Sequence, residues 1–318
     1  MITPRFLILL AGGALSLHAA EPAATQKPGA SHPEPVTPTL ANVHYGPDAK
    51  QVLDFYKAES STPTPLVFFI HGGGWTAGSK DRVTVAPYHR AGISVVSVEY
   101  RFIQQAMEEG IYPPVDAPLK DAARALQFVR SKAKEWNIDP KRSGATGGSA
   151  GACSSLWLAF HPDLADPRSN DPVARESTRL ACAAVTVAQT SLDPQQLREW
   201  TPNSRYGGHA FGFMVDVPHR DSQFAEFAEA RGKLLPFIKE YSPYELVSSD
   251  DPPVYLIYPA PPAIGQEQRD PTHTANYGVK LQEHCRRNGV ECELVYPGAP
   301  GVKHASIEAY LIDRLKAR

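Results

Sequence analysis

Ser149 stands in Gly147-Gly148-Ser149-Ala150-Gly151, a stretch with almost no side chain around a single hydroxyl. The pattern fits G-x-S-x-G, in which a sharp strand-to-helix turn pushes a serine Oγ outward and leaves room only for small neighbours. A tight helix entry or a phosphate-cradling loop would use similar glycines, but no Lys or Thr follows in phosphate-loop spacing. A nucleophilic serine also needs donors for the negative charge that develops on an attacked carbonyl oxygen. His71-Gly72-Gly73-Gly74-Trp75 has the composition for it, because consecutive glycines let backbone amides approach such a charge. The amide of Ala150 would complete the set, and losing one donor of this kind costs on the order of 3 kcal/mol in the transition state. The chemistry these residues could perform is acyl transfer through a covalent intermediate.

Such groups work only if strands and helices hold them at one edge. Residues 51–58, 65–71 and 93–100 are β-branched and aromatic runs that predict strands, as are 180–188, 253–258 and 291–297. A short strand-like segment also ends at Gly148. Residues 115–136 place Leu119, Ala122, Ala123, Leu126 and Val129 on one helical stripe. Further helices are expected at 150–160, ahead of Gly289, and from about Ala305 to the C-terminus. This alternation predicts an α/β fold with a mainly parallel central sheet and helices on both faces. Ligands bind such sheets at the carboxyl ends of the strands, where the candidate residues fall. Residues 189–250 break the alternation, being aromatic and irregular at first, and are expected to fold as a small lid over the strand ends.

The segments HGGGW, VEYR (98–101), IDPKR, GGSAG and SPYELVSSDDPPV follow one another in an order that resembles the α/β-hydrolase superfamily. Within it the chain is similar to the HGGG-bearing esterases and lipases, such as hormone-sensitive lipase and carbohydrate-associated carboxylesterases. The resemblance covers about residues 40–318. It implies Ser149 as nucleophile and the amides of Gly73, Gly74 and Ala150 as the oxyanion hole, with His71, Gly72, Trp75, Gly147 and Gly151 supporting the motifs. It also implies a basic histidine after the last strand. Of eleven histidines, His304 in GVKHASIEAY has that place, and His273 is the competitor set aside. The acid loop departs from the usual H-G-x-x-D turn. Asp270, before a proline and at a family-like interval to Leu281, is taken as the carboxylate, with APPAIGQEQR as an insertion before it. Asp193, in TSLDP, is the alternative acid. Asp250 and Asp251 are read as a solvated turn.

The implied activity is a serine carboxylic-ester hydrolase acting through an acyl-enzyme on short-chain or carbohydrate-linked esters, requiring no metal or organic cofactor. Two other readings stand beside it. One is an amide or formamide hydrolase, since arylformamidases also carry an HGG-x-W element. The other is a non-catalytic binding protein on the same fold. A net charge of −2 over 318 residues gives no footprint for nucleic acid. Residues 1–20 have the layout of a secretory signal peptide, and 21–39, with five prolines, that of a disordered spacer, so the folded domain is expected from about Leu40. An exported chain without stable membrane insertion follows. Its four cysteines, Cys153, Cys182, Cys285 and Cys292, permit three full pairings. Cys285–Cys292 across a turn is the local candidate, beside four free thiols.

Overall fold

A computed structural model of the protein describes residues 36–213 and 219–317. The expected leader, and the proline-rich stretch up to residue 35, lie outside the described residues. The apolar runs form eight strands: β1 Leu40–His44, β2 Val52–Tyr56, β3 Thr64–Ile70, β4 Ser94–Val98, β5 Ile138–Gly148, β6 Cys182–Thr186, β7 Val254–Ile257 and β8 Cys292–Val295. They join one sheet in the order β1-β2-β4-β3-β5-β6-β7-β8. Pairing is parallel from β4 through β8, and β2 runs antiparallel to both β1 and β4. The helices are α1 Ala86–Arg90, α2 Ile103–Glu108, α3 Asp116–Ser131, α4 Ala133–Trp136, α5 Ala150–Phe160, α6 Pro194–Trp200, α7 Arg220–Tyr241, α8 Pro243–Leu246, α9 Asn276–Arg287 and α10 Ile307–Lys316.

Strand residues alternate between two buried faces, as the period-2 geometry of a strand requires. Leu66, Phe68, Ala145, Ala183 and Leu256 join one core with α3 and α5. Val67, Val95, Ala184 and Tyr255 join the other with Tyr310, Leu311 and Leu315 of α10. All five residues of the expected α3 stripe are buried. Val36 packs against the second core.

Register decides where the loops meet. Ile70 lies opposite Gly147, Gly148 opposite Thr186, and Thr186 opposite Ile257, so β3, β5, β6 and β7 end level. The loops that follow leave from one edge of the sheet. The 189–250 segment is more regular than its sequence suggests. It holds α6, a 3-10 turn at Gly208–Phe211, α7 and α8, with Phe227 of α7 stacked on Phe211 at 5.7 Å. All four cysteines are free thiols, so the Cys285–Cys292 pairing across the α9–β8 turn is not formed. Among the described residues no helix is long and apolar enough to cross a membrane.

Candidate active site

Ser149 leaves β5 with φ 54° and ψ −122°, a left-handed conformation outside the normal regions for a residue with a side chain, and α5 begins at the next residue. Strain of this kind costs of order 1–3 kcal/mol and persists only where the surroundings enforce it. Here they do: a Cβ on Gly147 would lie 2.3 Å from the Ile70 carbonyl oxygen, and one on Gly151 only 2.1 Å from the same atom. The glycines let β5, α5 and the end of β3 pack against one another, and the Ser149 amide is fixed on the Thr186 carbonyl at 3.2 Å.

The hydroxyl so presented meets His273. Its Oγ lies 3.0 Å from His273 Nε2, and His273 Nδ1 lies 2.9 Å from Asp270 Oδ2. Asp270 Oδ1 accepts the amides of Thr272 and His273 at 3.1 and 3.2 Å, which folds the acid and the imidazole into one turn. Burial pushes the Asp270 carboxyl up, but the hydrogen bond and charge of His273, together with those two amides, outweigh it and hold the group below the usual carboxylate range.

Asp270 is thus hydrogen-bonded to a histidine that reaches Ser149, whereas His304 does not stand beside Ser149. The chain turns back after β8, and His304 Nδ1 pairs with Glu293 Oε2 at 2.7 Å while Nε2 faces Asp313 Oδ2 at 3.3 Å. Its ring meets Tyr310 edge-on and its carbonyl accepts from the Tyr255 hydroxyl, so it is held on the α10 face of the sheet, opposite α5. The alternative acid, Asp193, is also committed elsewhere. It caps α6 through the Gln195 amide and forms two 2.7 Å bonds to Arg231. Asp250 forms the expected exposed turn, ion-paired with Arg179, while the Asp251 carboxylate is buried and caps the Ser248 amide. The signal that points to His273 is its spacing: three residues after Asp270, within reach of a carboxylate that already closes a tight turn.

The HGGGW loop faces the elbow, because a Cβ on Gly72 would lie 2.5 Å from the Gly148 carbonyl oxygen and 3.6 Å from Ser149 Cβ. Gly73 has φ 114°, open only to glycine, and its carbonyl accepts the Thr76 and Ala77 amides, turning the chain back on itself. Among the described residues no loop carbonyl accepts from the amides of Gly73, Gly74 or Ala150. His71 lies beneath as a brace: fully buried, stacked on Tyr100, with Nε2 2.9 Å from Glu99 and Nδ1 2.8 Å from the Gly72 carbonyl. Trp75 donates from Nε1 to Ser154 Oγ at 3.0 Å, which pins the loop to α5. His209, from the 3-10 turn of the insertion, packs over Trp75 at 5.5 Å, and its Nε2 lies 4.0 Å from where a Gly74 side chain would begin. Burial lowers its pKa to about 4, so the ring is neutral. Among the described residues no cluster of three or more His, Cys, Asp or Glu could hold a metal ion.

Three comparisons bear on this arrangement. The model of the BD-FAE family matches residues 53–261. Carboxylesterase NlhH of Mycobacterium tuberculosis is 37% identical over 98 residues, which is 30% of this chain and 28% of that protein. The chain thus matches under a third of this curated relative's length. Among solved structures, an acetyl ester-xyloside bifunctional hydrolase from Caldicellulosiruptor lactoaceticus is 25% identical with a TM-score of 0.56, covering 77% of this chain and 76% of its own. A truncated carbohydrate esterase from gut microbiota superposes with a TM-score of 0.60 at 19% identity, over 89% of this chain and 94% of its own. The fold is that of α/β-hydrolase esterases. The family match stops before Asp270 and His273.

Proposed function

The chain belongs to the BD-FAE family, and on that premise we propose that it is a serine carboxylic-ester hydrolase whose base and acid share a single loop. The observation that carries this reading is the continuous path Ser149 Oγ–His273 Nε2–His273 Nδ1–Asp270 Oδ2, at 3.0 and 2.9 Å. The Ser149 hydroxyl donates to His273 Nε2, and Asp270 accepts from Nδ1–H, fixing the tautomer that leaves Nε2 free to take a proton. Attack on an acyl carbonyl forms a tetrahedral oxyanion, which the amides of Gly73, Gly74 and Ala150 stabilise. His273 then protonates the leaving alcohol, and it activates the water that releases the acid from Ser149.

The substrates we favour are short-chain acyl esters carried on carbohydrate. Support comes from the acetyl ester-xyloside hydrolase among the structural neighbours and from a leader-like N-terminus, which fits substrates met outside the cytoplasm. The 189–250 segment, whose His209 ring packs on Trp75 of the HGGGW loop, would serve as the lid.

The test is turnover of p-nitrophenyl acetate by the purified protein and three variants. Ser149→Ala and His273→Ala should each lower kcat by at least about 10³-fold. His304→Ala should stay within about threefold of wild type. Loss of turnover in His304→Ala with full activity in His273→Ala would overturn the assignment. Faster cleavage of the matching anilide than of the ester would favour an amide hydrolase.

A further inference from the structure

We propose that Gln189 is the positioning residue that holds the base against the nucleophile, an inference that rests on the assignment of His273 above. When acid and base come from different loops, the acid's hydrogen bond ties the base to the rest of the protein. Here that tie is missing. Asp270 and His273 ride one excursion between Ile257 and Asn276 that contains no strand or helix, and Asp270 also binds the amides of that same turn. Asp270 can set the ring's tautomer and angle within the loop, but if the loop moves, both move together. Connections of this length are otherwise mobile or functional, so the separation between Ser149 Oγ and His273 Nε2 has to be set by something outside it.

Asn276 brackets Ala263 near the start of the loop, and three further side chains hold it around the acid and base. Asn203 brackets Gln268, donating to its carbonyl at 2.8 Å and accepting its amide at 3.0 Å. The Tyr277 hydroxyl donates to the Pro271 carbonyl at 2.8 Å. Gln189 reaches furthest in: its Nε2 donates to the Thr272 carbonyl at 2.8 Å, one residue before His273, and faces the Val187 carbonyl at 3.3 Å. Gln189 leaves the exit of β6, the segment whose Thr186 carbonyl fixes the Ser149 amide. That exit is kinked at Val187, with φ 47°. One four-residue stretch, 186–189, therefore grips the nucleophile's backbone at one end and the base's backbone at the other.

The chemistry of the side chain supports this role. Gln189 is fully buried, and among the described residues its Oε1 has no hydrogen-bond partner. An amide left half satisfied in the interior costs stability that a leucine or methionine of similar size would not. Its donor is what such a residue could not replace.

The test measures steady-state kinetics for Gln189→Met and Gln189→Glu, which keep the length but remove the donor, alone and combined with His273→Ala. A displaced base should lower kcat by about 10–100-fold with KM within about twofold. Added to His273→Ala, either change should cause no further loss of the residual rate, because the group it positions is already gone. Wild-type kcat in both single variants, or the same fold loss repeated on the His273→Ala background, would overturn the proposal. Full activity in His273→Ala alone would instead remove the assignment beneath it. If neither Gln189 variant folds, Asn203→Ala at the outer end of the loop takes their place. A loss of about 3–10-fold that vanishes on the His273→Ala background supports the clamp, and wild-type rates overturn it.

Discussion

In the proposed triad the carboxylate is the exposed member, with its side chain 61% accessible and that of His273 33%. Charge in such a place is screened by water and salt, so Asp270 has less electrostatic leverage on a transient imidazolium than a buried aspartate would. Its remaining task is to hold the Nδ1–H tautomer and the turn. Asp270→Asn should therefore lower kcat by about 10–100-fold, well short of the roughly 10⁴-fold that a buried triad aspartate shows. Raising the salt concentration should move the wild-type rate little, and a loss approaching 10⁴-fold would show that the loop closes over the pair in the working state. At this scale Ser149 and the HGGG glycines are singled out by type and spacing, because each meets a local demand for a tight turn or a close approach, whereas Asp270 is singled out only by the family resemblance of its loop. His273 could not be ranked above His304 in that way. Order along the chain favours the histidine after the last strand, and only three-dimensional packing shows that His304 is claimed by Glu293 and Asp313.

Elements set the tolerance of the elbow. Gly151, the second residue of α5, lies against the end of β3, where an added Cβ would sit 2.1 Å from the Ile70 carbonyl oxygen and 2.7 Å from the His71 carbonyl carbon. Both are backbone atoms at the HGGGW loop, so relief must come from moving that loop or α5. Gly151→Ala should cost about 1–3 kcal/mol in stability. It should also lower kcat even at temperatures where the variant is fully folded, which thermal unfolding and kinetics on one sample would separate. Gly232, in α7, has open space where a side chain would begin, and Gly232→Ala should be neutral or stabilising by up to about 1 kcal/mol, the helix-propensity difference between the two residues. Legibility at this scale follows hydrophobic contrast. The α3 stripe was readable because one face is buried and the other polar. β1 was not, because four of its five residues are exposed. Within 189–250, α7 buries only a narrow line of Phe224, Phe227, Leu234, Ile238 and Tyr241 and contains Pro236, so its 22 residues give a weak helical signal.

Across the whole molecule, the two faces of the sheet divide the proposed catalytic residues from scaffolding. α5 and the site loops belong to one side. The other is closed by α10, and His304 joins β8 to it through Glu293 and Asp313. Burial raises the Glu293 carboxyl, but the His304 side chain and the amides of His304 and Lys303 outweigh it and hold the group below its ordinary value. A carboxyl whose folded-state pKa lies below its unfolded one contributes stability that is fully present above the unfolded value, about 4.3 for glutamate. That contribution is lost as the pH falls through the folded value. Removing the imidazole raises the folded pKa and shrinks the contribution. His304→Ala should therefore lower Tm at pH 6–7, and the gap from wild type should narrow towards pH 3, while kcat for an ester at pH 7 stays close to wild type. Thermal unfolding across that pH series distinguishes this from a catalytic histidine, whose loss would abolish turnover and leave the acid limb of the stability curve unchanged. The histidine that chain order nominates for chemistry would then be a clasp between sheet and terminal helix, with catalysis supplied from the loop one strand earlier.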